Sequence, residues 1–250
     1  MRLIEEIGKI PLNPSSMNTL SWMRIRGLKY LRDKAERGEE PEERRRILED
    51  LFTAYSPDNL NEVFKKASNL LDMQKSALKS CGYDVFDFLA VTRSRLIVGM
   101  ASEIFGKQIF EVGLSWDPLL NLPYIPGSSL KGAFRSYLES ERPDLVLLLG
   151  SKSESSSIIF LDSYPVSSKS NLLVPEVTTP IYGAKGVREV KAEPKPVIYP
   201  VINKDVTFRM IIGLRGKGRR LGDLLGQFMM EVLSRGIGAK TLVGYGFMNL

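Results

Sequence analysis

Hydrophobic spacing changes once along the chain, at about residue 92. Between residues 16 and 82, apolar side chains recur at intervals of three and four, which predicts a set of amphipathic helices. Beyond residue 92, short β-prone runs replace this spacing, and residues 95–100 and 109–114 predict a hairpin. We therefore expect a helical N-terminal region over residues 1–91, packed on a main domain over residues 92–250.

The main domain alternates strands with helices. The pattern predicts a helix that ends at about Leu138, a central strand over residues 157–161, a long, partly extended, proline-rich loop over residues 171–200 and a strand over residues 207–214. An amphipathic helix then precedes a glycine-rich turn and a final short strand. This order predicts an α+β fold of the ferredoxin-like class, a sheet with helices on one face.

Basic residues are concentrated in one part of the chain. The net charge is +6, and between residues 185 and 220 ten basic residues accompany three acidic ones. Such an excess allows nucleic-acid binding without requiring it. The loop Gly213-Leu-Arg-Gly-Lys-Gly-Arg-Arg220 is predicted to be flexible and suited to sequence-independent contact with a nucleic-acid backbone, the alternative being a merely solvated loop. Its candidate contacts are Arg215, Lys217, Arg219 and Arg220.

Histidine and cysteine are nearly absent, which excludes several kinds of chemistry. The chain has no histidine and one cysteine, Cys81. Serine–histidine triads, histidine-dependent RNase chemistry, cysteine-cluster metal sites and an internal disulfide are therefore excluded. No apolar run approaches the length of a membrane span, and we expect a cytoplasmic protein without metal or small-molecule cofactor. Few glutamines beside many Glu, Lys and Arg residues favour a thermophilic source.

The segment Pro123-Tyr-Ile-Pro-Gly-Ser-Ser-Leu-Lys-Gly-Ala-Phe-Arg135 predicts a turn followed by a helix that attracts anions. Ser128 or Ser129 is placed to cap the helix, and Lys131 and Arg135 lie on one helix face. Free N–H groups, the helix dipole and two cations would together bind a phosphate. An ordinary capped helix with solvated cations fits the same residues. Ser128 and Lys131 also match the S-x-x-K pattern of serine acyl enzymes, but the companion patterns of those enzymes are missing.

A second candidate binding segment lies near the C-terminus, in Gly236-Ile-Gly-Ala-Lys-Thr-Leu-Val-Gly-Tyr-Gly246. Its glycines allow the backbone to approach a ligand closely, and Lys240 with Thr241 adds a cation and a hydroxyl. The segment is neither a P-loop nor a dinucleotide-binding fingerprint, because the required spacing and element order are missing. Gly238, Lys240 and Thr241 are the candidate contacts, and a helix cap followed by a tight turn is the structural alternative.

These segments and their order resemble the RAMP superfamily of CRISPR type III effector proteins. The resemblance rests on Leu122-Pro-Tyr-Ile-Pro-Gly-Ser-Ser-Leu-Lys-Gly132, Phe160-Leu-Asp-Ser-Tyr-Pro165 and the glycine-rich segment, and it extends from about residue 93 to residue 250. It implies a modified ferredoxin-like or RRM-like domain. The resemblance is strongest to the sixth-subunit family of type III-B (Cmr) complexes. That likeness implies a non-catalytic, guide-RNA-binding subunit that caps the 3′-end side of an antiviral ribonucleoprotein, beside other RAMP subunits.

A RAMP endoribonuclease, which processes guide-RNA precursors or cleaves target RNA, is the alternative function. Processing enzymes of this kind often use a histidine, which this chain lacks, although Tyr and Lys could substitute in part. Target cleavage needs a well-placed aspartate, and Asp117 in Ser115-Trp-Asp-Pro118 is available. A turn-forming role before proline is the favoured explanation of Asp117.

Overall fold

The computed structural model describes residues 11–37, 41–99, 114–151, 154–178 and 197–250. Within these ranges the chain begins with three helices, α1 (Thr19–Arg37), α2 (Pro41–Ala54) and α3 (Pro57–Ser80). They confirm the helical spacing of this part of the sequence. None of the described helices is both long enough and apolar enough to cross a membrane.

Short strands and two further helices follow. In chain order the strands are β1 (Asp84–Thr92), β2 (Trp116–Asp117), β3 (Leu122–Pro123), β4 (Ile158–Phe160), β5 (Tyr164–Ser168), β6 (Leu173–Thr178), β7 (Val197–Ile202), β8 (Val206–Leu214) and β9 (Met248–Asn249). The helices are α4 (Gly127–Glu141) and α5 (Gly222–Arg235), with 3₁₀ helices at Pro143–Leu149, Gly216–Leu221 and Thr241–Val243. The predicted strand over residues 207–214 and both predicted helices are confirmed.

The main sheet has the strand order of a ferredoxin-like fold. β8 pairs with β1 on one side and with both β4 and β5 on the other, and β1 pairs in turn with β9. Every one of these pairs is antiparallel. With β4 and β5 counted as one interrupted strand, the chain runs β1, α4, β4/β5, β8, α5, β9, and the fourth strand lies beside the first. The predicted α+β, ferredoxin-like class is confirmed.

Several predicted elements differ from the structure. β1, a central strand, begins within the region 1–91 that was expected to be helical, so the expectation of helix is wrong for residues 84–91. The division of the chain into two regions stays a prediction. β4 is an edge strand, whereas residues 157–161 were predicted to be central. The predicted loop over residues 171–200 contains β6 and begins β7, which pair as an antiparallel ribbon. Of the predicted hairpin, residues 100–113 lie outside the described residues, and Leu96 forms an isolated bridge to Ile202.

Helices cover both faces of the main sheet. α4 and α5 pack on one face, where the Phe134 ring lies 5.5 Å from the Phe160 ring and 6.4 Å from the Phe228 ring. α3 packs on the opposite face, against β1, β5 and β8. Side chains alternate along β8, so Met210 is buried in the core while its neighbour Arg209 reaches α3. The helices of the main domain lie on one face as predicted, and the N-terminal region adds a layer on the other.

Asn121 fastens the start of α1 to the turn between β2 and β3. Its side-chain Oδ1 accepts from the Thr19 N–H at 2.9 Å, and its Nδ2 donates to the carbonyls of Pro14 and Met17 at 2.9 and 2.8 Å. The Tyr55 hydroxyl donates to the Asn121 carbonyl at 2.8 Å. Asn121 is buried and has a φ of 58°, a left-handed conformation that asparagine tolerates better than most residues. One side chain therefore pairs three backbone groups of the N-terminal region.

An ion-pair network joins α3 to the sheet. Arg209 of β8 donates to both carboxylate oxygens of Asp87 in β1, at 2.8 and 2.6 Å, and to Asp72 in α3 at 2.8 Å. Lys75 of α3 also donates to Asp87, at 2.7 Å. These hydrogen bonds, above all those from Arg209, hold the pKa of Asp87 at about 2 although partial burial opposes the shift. The network therefore fixes the N-terminal layer on the sheet with charged groups, of which Arg209 and Asp87 are largely shielded.

Candidate nucleic-acid interface

A groove runs between the first half of α4 and the glycine-rich loop, residues 236–246. It has a volume of about 520 Å³. Its walls include Ser129, Gly132 and Ala133 from α4 and Gly238, Ala239 and Thr241 from the loop. Among the residues that the structure describes, none of those lining the groove is charged. The two sequence segments that were predicted to bind a ligand thus face each other across one opening.

The glycine-rich loop lies close against the backbone of residues 97 and 98. A Cβ atom at Gly238 would stand 2.2 Å from the Ile97 carbonyl oxygen, and its φ of 85° suits glycine. The Ala239 N–H donates to the same Ile97 carbonyl at 2.8 Å. Gly238 is therefore needed for the close approach that forms this wall of the groove.

Helix α4 is capped by a residue that was not predicted to be part of the site. The Oδ1 atom of Asp162, in the turn between β4 and β5, accepts from the Gly127 N–H at 2.7 Å. Pro126 precedes the helix, and no side chain of the helix caps it. The prediction that Ser128 or Ser129 caps the helix is therefore wrong, because an aspartate from a distant turn already occupies that place. Ser128 is exposed and Ser129 lies in the groove wall.

Lys131 and Arg135 lie on a different side of α4 from the groove. At about 100° per residue, the mean direction of Lys131 and Arg135 stands roughly 130° around the helix axis from the mean direction of Ser129, Gly132 and Ala133. Arg135 comes nearest, at about 60° from Gly132, but neither cation lines the groove. The Arg135 guanidinium donates to the Gly150 carbonyl at 3.0 Å, at the end of the following 3₁₀ helix. The two cations therefore share one helix face, as predicted, but that face does not line the groove.

The basic segment after β8 is ordered by specific contacts. It forms the 3₁₀ helix Gly216–Leu221, in which Arg219 pairs with Asp84 at 2.9 Å and donates to the Gly82 carbonyl at 3.0 Å. The Arg215 guanidinium lies 5.2 Å from the centre of the Tyr83 ring. The prediction of a flexible loop is wrong because folded partners hold these cations. Lys217 and Arg220 are exposed.

This 3₁₀ helix and the glycine-rich loop lie at opposite ends of β1. Leu214, which precedes the basic segment, pairs with Asp84, whereas Met248, which follows the loop, pairs with Thr92. A nine-residue strand spans roughly 26 Å. The predicted binding residues therefore fall into three separate places: the groove, the flank of α4 and the far end of the sheet.

Lys240 is held by side chains of the β6–β7 ribbon. Its ammonium donates to the Tyr199 hydroxyl at 2.7 Å and to Thr178 Oγ1 at 3.0 Å. The same nitrogen lies 5.3 and 5.9 Å from the ring centres of Tyr199 and Tyr245. Lys240 itself has a φ of 60°. The loop is thus connected to the ribbon through its single lysine.

A second polar link runs parallel to the first. Arg95 donates to Glu176 of β6 at 2.7 Å. Burial, together with a hydrogen bond to Glu176, raises the pKa of Tyr245 to about 12, so Tyr245 is a proton donor to that carboxylate. Burial raises the pKa of Glu176, but the hydrogen bonds from Tyr245 and Arg95 outweigh it and leave that pKa below its usual value. The ribbon, the loop and the segment around Arg95 are therefore bonded to one another.

Asp117 is fully engaged in local structure. Its Oδ1 accepts from the N–H groups of Leu119 and Leu120, at 2.8 and 3.0 Å, and thereby stabilises the turn between β2 and β3. Its Oδ2 accepts from the Tyr164 hydroxyl at 2.7 Å. Burial and this hydrogen bond raise the pKa of Tyr164. The geometry matches the turn-forming role that the sequence favoured.

Three residues of the site were not identified from the sequence. Asp162 belongs to a segment that had been singled out, but only as a family motif. Glu176 and Tyr199 lie in the stretch expected to be a loop. Their partners, Arg95 and Lys240, are 81 and 41 residues away. The one available signal was the occurrence of polar residues among the β-branched and aromatic ones of this stretch.

The structure thus combines a ferredoxin-like sheet with a groove between α4 and a glycine-rich loop, and the sheet and the loop are the features that the sequence motifs led us to expect of a RAMP protein. The chain belongs to the RAMP superfamily, which it matches over residues 21–249. This confirms the resemblance seen in the sequence motifs.

Within the superfamily the chain is similar to Cmr6 proteins. It is 34% identical over 229 residues to the CRISPR system CMR subunit Cmr6 of Saccharolobus solfataricus, covering 89% of this chain and 79% of that protein. It is 22% identical over 226 residues to Cmr6 of Pyrococcus furiosus, covering 62% of this chain and 65% of that protein. A chain in the cryo-EM structure of the type III-B Cmr-beta bound to cognate target RNA superposes with a TM-score of 0.84 at 29% identity, covering 100% of this chain and 96% of that one.

Proposed function

We propose that this chain is a non-catalytic, guide-RNA-binding subunit of a type III-B (Cmr) ribonucleoprotein, which caps the 3′-end side of the complex and contributes to antiviral defence. Its likeness to two Cmr6 proteins and to a chain of the Cmr-beta complex supports this assignment. Its proposed partners are the guide RNA and other RAMP subunits of the complex.

The groove is the observation that carries the proposal. It joins Ser129 and Gly132 of one family motif to Gly238 and Thr241 of the other. Small residues let a nucleic-acid backbone come close, and hydroxyl and backbone N–H groups bind sugar and phosphate without reading bases. A subunit that serves many guide RNAs needs this kind of contact, because base pairing supplies the sequence recognition.

In the part of the chain that the structure describes, a helix packs on the sheet face that an RRM leaves open. In an RRM, bases stack on aromatic side chains of the open sheet face. Here α3 covers that face along β1, β5 and β8, and the Arg209–Asp87 network fastens it there. RNA binding is therefore proposed at the edge of the sheet, with Lys131 and Arg135 as additional phosphate contacts along the flank of α4.

The side chains of this protein favour an RNA-binding role over an endoribonuclease activity. Asp117, the candidate for target cleavage, has both carboxylate oxygens occupied by hydrogen bonds within the fold. The chain has no histidine to act as a general acid or base. Catalysis in such a complex is therefore assigned to other chains.

A bulky charged residue in the groove tests the proposal. A Cβ atom at Gly132 would meet nothing within 4 Å, so the backbone accepts a side chain there, and Gly132→Glu adds a carboxylate at the groove wall. Its carboxylate would repel phosphates, and we expect guide-RNA retention by the reconstituted complex to fall at least about tenfold. Gly226→Glu is the matched control, because Gly226 is an exposed glycine of α5 with equally open space. Equal retention in both variants would remove the groove as the RNA site.

A further inference from the structure

We propose that Lys240 is a positioning residue: it holds the glycine-rich wall of the groove against the β6–β7 ribbon and does not itself bind RNA phosphate. This inference rests on the proposed function, because it concerns how the same groove is shaped. It reverses the role that the sequence suggested for the one cation of the loop.

The Lys240 side chain is directed towards the β6–β7 ribbon, whereas its two neighbours line the groove. Ala239 and Thr241, its neighbours on either side, line the groove, but Lys240 does not. Its ammonium instead lies between the Tyr199 hydroxyl and Thr178 Oγ1, which use two of its three protons. Two of the three directions in which the ammonium can donate are therefore occupied, one of them by the hydroxyl of a residue that is 1% exposed.

The backbone at Lys240 gives the second step. A φ of 60° is uncommon for a residue other than glycine, and it persists where the surroundings hold it. The Lys240 carbonyl accepts from the N–H groups of Val243 and Tyr245, at 3.1 and 3.3 Å, and so closes the turn. The anchored side chain therefore fixes a strained turn whose preceding residues, Gly238 and Ala239, form the groove wall.

The parallel link makes the arrangement stiffer. Glu176 of the ribbon accepts from Arg95, and the Gly246 N–H of the loop donates to the Arg95 carbonyl at 2.8 Å. Loop and ribbon are thus linked twice, in the middle of the loop at Lys240 and at its end through Gly246 and Arg95. The width of the groove consequently depends on the position of the ribbon, because Lys240 connects the groove wall to the ribbon.

The salt dependence of RNA binding separates a positioning residue from a phosphate ligand. Each phosphate contact to single-stranded RNA contributes about −0.7 to the slope of log affinity against log salt concentration. We would measure the affinity of a labelled guide RNA for the reconstituted complex over a series of salt concentrations, with Lys240→Ala or Tyr199→Phe in this subunit. Tyr199→Phe removes one hydroxyl and no charge. Lys65→Ala, at an exposed lysine of α3, is the control for loss of charge.

We expect Lys240→Ala and Tyr199→Phe each to weaken binding about tenfold with an unchanged salt slope. The double variant should be no weaker than Lys240→Ala, because both changes break one contact. Hydrogen exchange in residues 236–246 should rise in both variants and not in Lys65→Ala, while circular dichroism confirms a folded chain.

Two outcomes would overturn the inference. A slope reduced by about 0.7 in Lys240→Ala, with Tyr199→Phe like the wild type, would make Lys240 a phosphate ligand. Wild-type affinity in both variants would remove any role of this contact in binding. If the wild-type complex retains no guide RNA, the proposed function itself fails, and that result is seen before any variant is compared.

Discussion

The network around Asp87 makes the stability of this protein depend on pH in a way that one substitution can reveal. Asp87→Asn keeps the size of the side chain but removes the carboxylate that Arg209 and Lys75 share. Both main partners are largely shielded, with 15% of the Arg209 side chain and 16% of the Asp87 side chain exposed. We expect the variant to fold and to be less stable at neutral pH by about 2 kcal/mol, because Arg209 keeps only Asp72 as a charged partner.

The magnitude of the pH effect follows from the pKa of Asp87, about 2 in the fold against 3.8 ordinarily. At 1.36 kcal/mol per pKa unit this difference is at most about 2.4 kcal/mol, and screening by solvent reduces it to about 1–2 kcal/mol. A carboxyl whose pKa is lowered by folding stabilises the fold above its unfolded pKa. This contribution is therefore complete above about pH 5 and is lost as the pH falls from there towards 2, about half of it by pH 3.

Urea unfolding followed by circular dichroism between pH 7 and pH 3 measures the effect. The stability difference between the wild type and Asp87→Asn should narrow as the pH falls, because only the wild type loses the contribution. Asp144→Asn is the control: Asp144 also pairs with an arginine, Arg142, but its side chain is 61% exposed, so its curve should follow the wild type. A constant difference between the wild type and Asp87→Asn over this range would refute the reasoning.

Three further predictions concern RNA retention, the N-terminal layer and catalysis. Lys131→Ala with Arg135→Ala should weaken guide-RNA retention by the complex and reduce the salt slope by about 1.4, without loss of fold; unchanged retention contradicts the assignment. Asn121→Ala should lower the free energy of unfolding by about 2–4 kcal/mol, since buried backbone groups lose their partners, and a loss below about 1 kcal/mol in chemical denaturation would show that the contact is replaceable. Asp117→Ala in a reconstituted complex should leave cleavage of the target RNA unchanged. Loss of cleavage in a complex that still assembles would restore the endoribonuclease alternative.

The class of fold could be predicted from the sequence because most elements carry a local signal. β8, α4 and α5 have clear hydrophobic spacing and turn residues at their ends. β1 was missed because apolar residues lie on both of its sides, Phe86 and Phe88 on one and Val85 and Leu89 on the other, and leave no regular alternation of polar with apolar residues. β4 was predicted to be central because it is apolar. Since α4 covers it, this edge strand has the same apolar composition as a central strand.

The geometry of the site could be predicted only in part. The sequence identified both walls of the groove, because glycine-rich and serine-rich segments have a local physical meaning. It could not identify which side of α4 faces the groove, and so it joined Lys131 and Arg135 to a helix start that Asp162 already occupies. The partners of Lys240 come from strands 41 and 62 residues away, a distance over which spacing carries no information.

The cap that Asp162 provides has a consequence for anyone who exchanges parts between RAMP subunits. The first turn of α4 is completed by a residue 35 positions further along the chain. A chimera that receives residues 123–135 from this protein without the turn at residues 160–165 would inherit a helix with an uncapped start. The two segments should therefore be exchanged together whenever the α4 wall of this groove is moved into another scaffold.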